Sequence, residues 1–232
     1  LKIKVIGSGS SGNCYLIDDG QTQLLLECGL PIKKIKAGCD YDFSRIAACL
    51  VTHEHQDHCC AVRDLLRIGV PVWMTRGTLQ ALGLDEWLAF RFDGNPGDYC
   101  PEDIGSYQVL PFRVHHDAAE PVGYLIHSVA TGEKLLYVTD TQYIDYRFIG
   151  LTHIMVEANF SAETLADPDN DPRRHRLRRS HMSLENCTKL LKANDLSKVR
   201  EIWLIHLSQT NGEPEVFRRR VEEATGVPVH VA

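Results

Sequence analysis

An apolar run, Ala47-Ala48-Cys49-Leu50-Val51, passes through Thr52 straight into His53-Glu54-His55-Gln56-Asp57-His58. A chain with this feature has to end a buried strand beside a tight loop rich in metal-capable groups. Three imidazoles and the Asp57 carboxylate fall within six residues, a spacing at which neither a strand nor a helix aims all three rings one way. A strand that stops at Val51 and turns sharply lets them converge. Neutral imidazole suits zinc, and an added carboxylate with water widens the range to manganese or iron. The pattern divides naturally between two metals, His53 and His55 for one, Asp57 and His58 for the other. It is not a His-Glu-x-x-His zinc-protease helix, because Asp57 stands where the second His would be. A merely His-rich surface turn would be out of place directly behind a buried strand.

The same arrangement recurs. His115-His116-Asp117 ends an expected strand at 107–114, Asp140 ends one at 134–139, and His206 ends one at 201–205. One His after a strand is more often structural than a ligand. Four apolar strands that each run into a metal-capable residue point to strand ends gathered at one edge of a sandwich.

Composition narrows the class. With 232 residues, 44% hydrophobic and 24% charged, the chain suits one domain with a sizeable core. A net charge of −6 means that any phosphate binding must come from a local patch. The apolar runs are far short of the roughly 20 residues that cross a bilayer, and Leu1-Lys2-Ile3-Lys4-Val5-Ile6 reads as a strand rather than a leader. The expectation is no membrane association. Eight cysteines without a Cys-x-x-Cys are too dilute for a disulfide scaffold, so the expected location is the reducing cytoplasm. Cys59 and Cys60 are expected to open a helix rather than bind metal.

Periodicity predicts strands at 2–6, 14–18, 24–27, 46–51, 70–74, 107–114, 122–127, 134–139, 154–157, 201–206 and 227–231. Helices are predicted near 31–38, 59–68, after 75, at 182–194 and at 213–225. Two halves of mixed type favour an α/β fold with two mixed sheets packed face to face and helices outside, an αββα four-layer sandwich. No linker or repeat interrupts 1–232, which is read as a single domain. Gly7-Ser8-Gly9-Ser10-Ser11-Gly12 matches the dinucleotide fingerprint, but 13–18 reads as a strand rather than the helix that motif needs. A tight hairpin is expected instead.

These segments resemble the metallo-β-lactamase superfamily. More narrowly, Gly9-Ser10-Ser11-Gly12-Asn13, Thr52-His53-Glu54-His55, His116-Asp117-Ala118, Glu120-Pro121-Val122-Gly123-Tyr124, Thr139-Asp140-Thr141 and His206-Leu207-Ser208 are similar to its YycJ (WalJ) branch. That branch is exonuclease-like and related to the ribonuclease Z enzymes. The resemblance implies the αββα sandwich and two divalent ions, zinc first, with manganese or iron as alternatives. One ion would be held by His53, His55 and His116, the other by Asp57, His58 and His206, with Asp140 bridging. His116 is preferred to His115 because Asp-Ala follows it. The resemblance also brings in Glu157 and His181, an imidazole oriented by a carboxylate and acting as general acid. The chain departs from the family at Glu27, where Asp is usual, at Gln142, where Gly is common, and at Phe160, where close relatives carry His.

Two metals about 3.5–4 Å apart can hold a bridging hydroxide for attack at phosphorus and stabilise the departing oxygen. Five arginines, Arg173, Arg174, Arg176, Arg178 and Arg179, precede His181 within seven residues. Guanidinium forks match phosphate oxygens, so this run is expected as a cationic loop that binds substrate. The preceding 167–172 segment lacks the Gly and the terminal Glu of a calcium loop and reads as a rigid bend. The expected activity is phosphodiester hydrolysis of DNA or RNA, exonuclease-like. A small cyclic-nucleotide phosphodiesterase is the alternative, and lactone, lactam or thioester hydrolysis stands behind it. A homodimer is entertained as the assembly.

Overall fold

The computed structural model describes residues 1–95, 97–165 and 172–232, without the side chains of 172–174. Packing divides it into two compact units, Leu1–Arg113 with Ala118–Glu133, and Val114–Asp117 with Lys134–Ala232.

The first unit opens with β1 (Lys2–Gly7), β2 (Cys14–Asp18) and β3 (Gln23–Leu26), then α1 (Ile32–Gly38), β4 (Ile46–Leu50), α2 (Gln56–Cys59), α3 (Val62–Arg67), β5 (Val72–Met74) and α4 (Arg76–Ala81). Short strands follow: β6 (Phe90–Arg91), β7 (Gly94–Asn95), β8 (Asp98–Tyr99) and β9 (Glu102–Ile104), then the longer β10 (Tyr107–Arg113) and β11 (Val122–Ser128). Strands β1 to β6 form a mixed sheet in sequence order. Its first three strands are antiparallel and the last four parallel. Strands β9, β10 and β11 pair antiparallel. The glycine segment joins antiparallel β1 and β2 with no helix behind it, so the dinucleotide pattern is incidental.

Alternate apolar side chains explain the core. Leu25, Cys49, Val51, Leu65, Val72 and Met74 are fully buried in one cluster. Polar cross-ties fix its edges. Asp19, in the β2–β3 turn, accepts from Ser106 Oγ at 2.6 Å and Ser128 Oγ at 2.7 Å. The Tyr124 hydroxyl on β11 donates to the Val51 carbonyl at 2.6 Å, which anchors the end of β4 where the His-rich segment begins.

The second unit contains β12 (Lys134–Val138), β13 (His153–Glu157), α5 (Pro172–Ser180), α6 (Leu184–Ala193), β14 (Glu201–Ile205), α7 (Pro214–Thr225) and β15 (Val229–Val231). Its four strands are parallel, ordered β15-β14-β13-β12. Helix α6 is capped by Ser183, which accepts from the Asn186 N–H, and buries Leu184, Cys187, Leu190 and Leu191. Helix α7 starts at Pro214, stops at left-handed Gly226 and buries Phe217 and Val221. No helix among the described residues is long and apolar enough to cross a membrane.

Two expectations are corrected. The helix predicted at 59–68 is broken into α2 and α3 around Cys60 and Ala61, and α2 begins inside the His-rich segment, so Asp57 and His58 ride a helical turn rather than a loop. The arginine run is helix α5, not a loop. The strands β6 to β9 were not anticipated. The bend expected at 167–172 falls, except for Pro172, outside the described residues.

One glycine holds the ligand segment in place. A Cβ on Gly29 would lie 1.7 Å from the Asp57 carbonyl oxygen and 2.6 Å from the His58 nitrogen. Backbone on both sides leaves little room to yield. Gly29→Ala is therefore expected to destabilise the protein by about 3 kcal/mol, read as a lower urea midpoint at unchanged slope; unaltered stability would contradict this packing.

Candidate metal centre

In the first unit, His53 follows β4 by three residues, and the backbone is steered there by hydrogen bonds. The Thr52 N–H donates to Glu27 Oε2 at 3.2 Å, and the Thr52 carbonyl accepts from the Val122 N–H at 3.2 Å. His55 then supplies the carbonyl that starts α2, accepting from the His58 N–H at 2.9 Å. His53 Nε2 and His55 Nδ1 face each other at 3.1 Å, while Thr52 Oγ1 engages His53 Nδ1 at 2.9 Å. His58 Nε2 lies 3.4 Å from Asp57 Oδ2, and Glu27 Oε1 lies 3.5 Å from His58 Nδ1. The His53 and His58 rings also lie close, with centroids 4.3 Å apart, so the four residues form one cluster behind β4.

The glycine hairpin braces this segment. Asn13 gives its side-chain amide to the Asp57 carbonyl at 3.2 Å and its backbone N–H to the same oxygen at 2.8 Å. The Gly9 N–H in turn donates to Asn13 Oδ1 at 2.9 Å.

In the second unit, Asp140, Glu157 and His206 lie at the carboxyl ends of the adjacent parallel strands β12, β13 and β14, where open α/β sheets place their ligands. Asp140 and His206 turn out of their strands with φ of 44° and 53°, a left-handed conformation that costs about 1–3 kcal/mol in a non-glycine residue. His206 Nδ1 approaches Asp140 Oδ1 at 3.3 Å and Glu157 Oε1 at 3.0 Å. His116 Nε2 lies 3.6 Å from Asp140 Oδ2, and its Nδ1 bonds the Ser180 carbonyl at 2.8 Å. Burial pushes the His116 imidazole below its ordinary range and so toward the neutral form. His115 is turned away: its Nε2 meets exposed Asp145 at 2.7 Å.

His181 follows the carboxyl end of α5, its N–H bonded to the Leu177 carbonyl at 3.0 Å, and its Nδ1 donates to Glu157 Oε1 at 2.6 Å. Glu157 is fully buried and also accepts from the Thr141 N–H at 3.2 Å and the Met182 N–H at 2.9 Å. Burial alone would raise the Glu157 carboxyl, but the His181 charge and hydrogen bonds from His181 and His206 hold it below the usual range. Burial would conversely lower His181, yet Glu157 and then Asp140 raise it. Asp140, Glu157, His181 and His206 offer ligand atoms within 4.8 Å of one another.

Of the arginines, Arg178 lines a cavity of about 210 Å³ with His181, Phe160, Ser183 and Asn186, and its Nη2 donates to the Leu165 carbonyl at 2.8 Å. Arg176 and Arg179 line a cleft of about 390 Å³ with Asp117, His175 and Ser180. The side chains of Arg173 and Arg174 lie outside the described residues. Sequence reasoning missed the contributions of Asn13 and the Ser180 carbonyl. The Gly-Ser-rich segment pointed toward the former; a backbone carbonyl leaves no signal in the sequence.

The Beta-lactamase superfamily domain family matches residues 30–207. Exodeoxyribonuclease YycJ of Bacillus anthracis is 29% identical over 240 aligned positions, covering 96% of this chain and 88% of that protein. Exodeoxyribonuclease WalJ of Streptococcus pneumoniae is 27% identical over 231 positions, covering 93% and 85%. The crystal structure of the metallo-β-lactamase fold protein YhfI from Bacillus subtilis matches with a TM-score of 0.75 at 18% identity, over 99% of this chain and 95% of that one. The α/β fold of mixed sheets and helices is therefore the metallo-β-lactamase fold, and the chain belongs to the beta-lactamase superfamily.

Proposed function

We propose that this protein is a divalent-metal-dependent phosphodiester hydrolase of nuclease type, acting on DNA or RNA. His53, His55, Asp57, His58, His116, Asp140 and His206 serve as its metal ligands, divided as the family resemblance implies. The posture of the imidazoles carries the reading. His116 gives one ring nitrogen to a carbonyl and aims the other at Asp140; His53 gives one to Thr52 and aims the other at His55. A ring held from behind by oxygen, with its other nitrogen turned toward further candidate ligand atoms, is how metal-binding histidines are oriented. The donor set of imidazoles and carboxylates fits zinc first, with manganese or iron as alternatives. When bound, two such ions supply Lewis-acid charge at phosphoryl oxygens and lower the pKa of water. The names of the YycJ and WalJ relatives support a nuclease.

The chain's own groups supply the proton and the grip. His181, fixed by Glu157 through Nδ1, keeps Nε2 for the departing oxygen and delivers a proton there as general acid. Arg178, which shares a cavity with His181, takes a phosphate oxygen beside it. Arg176 and Arg179 extend that cationic surface along α5, with Arg173 and Arg174 assigned to the same role.

Metal-loaded protein is expected to shorten labelled DNA or RNA and to stop on chelation. Nucleic acids left intact with zinc, manganese and iron would refute the reading, and turnover of cyclic nucleotides alone would replace it with the small-substrate one. His55→Ala and Asp57→Ala are expected to lose both turnover and bound metal, measured by elemental analysis. His181→Ala should lose about 10²–10⁴-fold in kcat with metal retained; loss of metal would make His181 a ligand. The pH profile tests the Glu157 pairing. A general acid must hold its proton, so the rate falls as pH rises through its pKa. Glu157 raises that pKa, and Glu157→Gln should move the alkaline limb of kcat/KM to lower pH. An unmoved limb would assign the proton to another group.

A further inference from the structure

We propose that Tyr143 and His115 form a stacking platform for one unpaired base of the substrate strand, beside the candidate ligands His116 and Asp140; this rests on the nucleic-acid reading above. The two rings stack with centroids 4.4 Å apart and planes 24° apart. Neither belongs to the core: Tyr143 is 43% exposed and the His115 side chain 39%. The chain itself places them. His115 directly precedes His116, and Tyr143 follows Asp140 by three residues, a reach of at most roughly 10 Å.

The segment is held without help from the tyrosine ring. Thr141 Oγ1 accepts from the His115 N–H at 3.0 Å and donates to the Tyr143 carbonyl at 2.9 Å. Asn186 Nδ2 donates to the Gln142 carbonyl at 3.0 Å, and the Phe148 N–H to Asn194 Oδ1 at 2.7 Å. Asp145 holds the imidazole edge through Nε2 at 2.7 Å. An aromatic face is thus held in place and left exposed to solvent, and every nucleobase offers a π-face to cover it. On the other flank of His116, Asp117 begins the cleft lined by Arg176, Arg179, His175 and Ser180, which suits the phosphates of a continuing strand. A fully paired duplex presents no single base to the platform, and a cyclic mononucleotide brings no second phosphate to the cleft. The substrate class is a strand with at least one unpaired nucleotide where it is cut.

Among the described residues Tyr41, Trp87, Phe90 and Tyr146 are also exposed. Phe90 stacks on Trp73 and Tyr146 lies against Phe148, whereas the Tyr143 ring stacks on the residue next to a candidate ligand.

The test is binding of a short fluorescent single strand to the metal-loaded protein, followed by anisotropy, with cleavage-resistant phosphorothioate linkages. One strand is intact and others carry an abasic site near an end. Wild type is expected to bind an abasic strand roughly tenfold more weakly than the intact one. Tyr143→Ala should bind the intact strand about as weakly and show no further abasic penalty, and Tyr143→Phe should restore the difference. A full abasic penalty in Tyr143→Ala would overturn the platform while leaving the nuclease reading in place. Failure of wild type to bind any strand, with cyclic nucleotides still hydrolysed, would sink both.

Discussion

Taking a carboxylate out of water costs several kcal/mol unless donors face it, and Glu157 at the end of β13 is wholly out of water. Its two oxygens receive two backbone N–H groups and two imidazoles. That requirement organises the second unit. The Met182 N–H is available only because α5 ends at Ser180, and the Thr141 N–H only because the chain turns at Asp140. The strained φ of Asp140 and His206 is tolerated because the surrounding hydrogen bonds and ion contacts outweigh a cost of about 1–3 kcal/mol each. Ser180, where α5 closes, also gives its carbonyl to His116. The arginine-bearing helix and a candidate ligand are therefore mechanically linked.

The first unit solves the same problem with Glu27. It too is fully buried, leaves its strand with a left-handed φ of 62°, and faces His58 and the Thr52 N–H. Here glycine does the positioning: Gly12 and Gly29 pack so closely that a Cβ on Gly12 would meet the Gly29 carbonyl at 2.3 Å. The departure from Asp at position 27 thus falls on a residue that supports a ligand without being one.

How much could be seen in advance follows from which physical signals a sequence carries. Strands with alternating or continuous apolar runs were visible, as were α6 and α7, expected near 182–194 and 213–225. His53, His116, Asp140 and His206 were visible because each follows such a strand within three residues, and His55, Asp57 and His58 because they share the segment with His53. Helix α5 was not, since Arg173 to Arg179 contains a single aliphatic residue, Leu177, and so has no apolar period to detect. Helix α2 is one turn long, and β6 to β8 are two residues each, too short for any pattern. Backbone partners such as the Ser180 carbonyl, and the turning of His115 toward Tyr143 rather than Asp140, are products of tertiary packing.

A metal-dependent activity requires the imidazoles and carboxylates at strand ends to be ligands rather than a buried hydrogen-bond network that fills itself. Anomalous scattering from manganese-soaked crystals decides between these most directly. Two peaks per chain, within bonding distance of the His53–His58 segment and of His116, Asp140 and His206, are predicted. No peak, or peaks only at other residues, would contradict it.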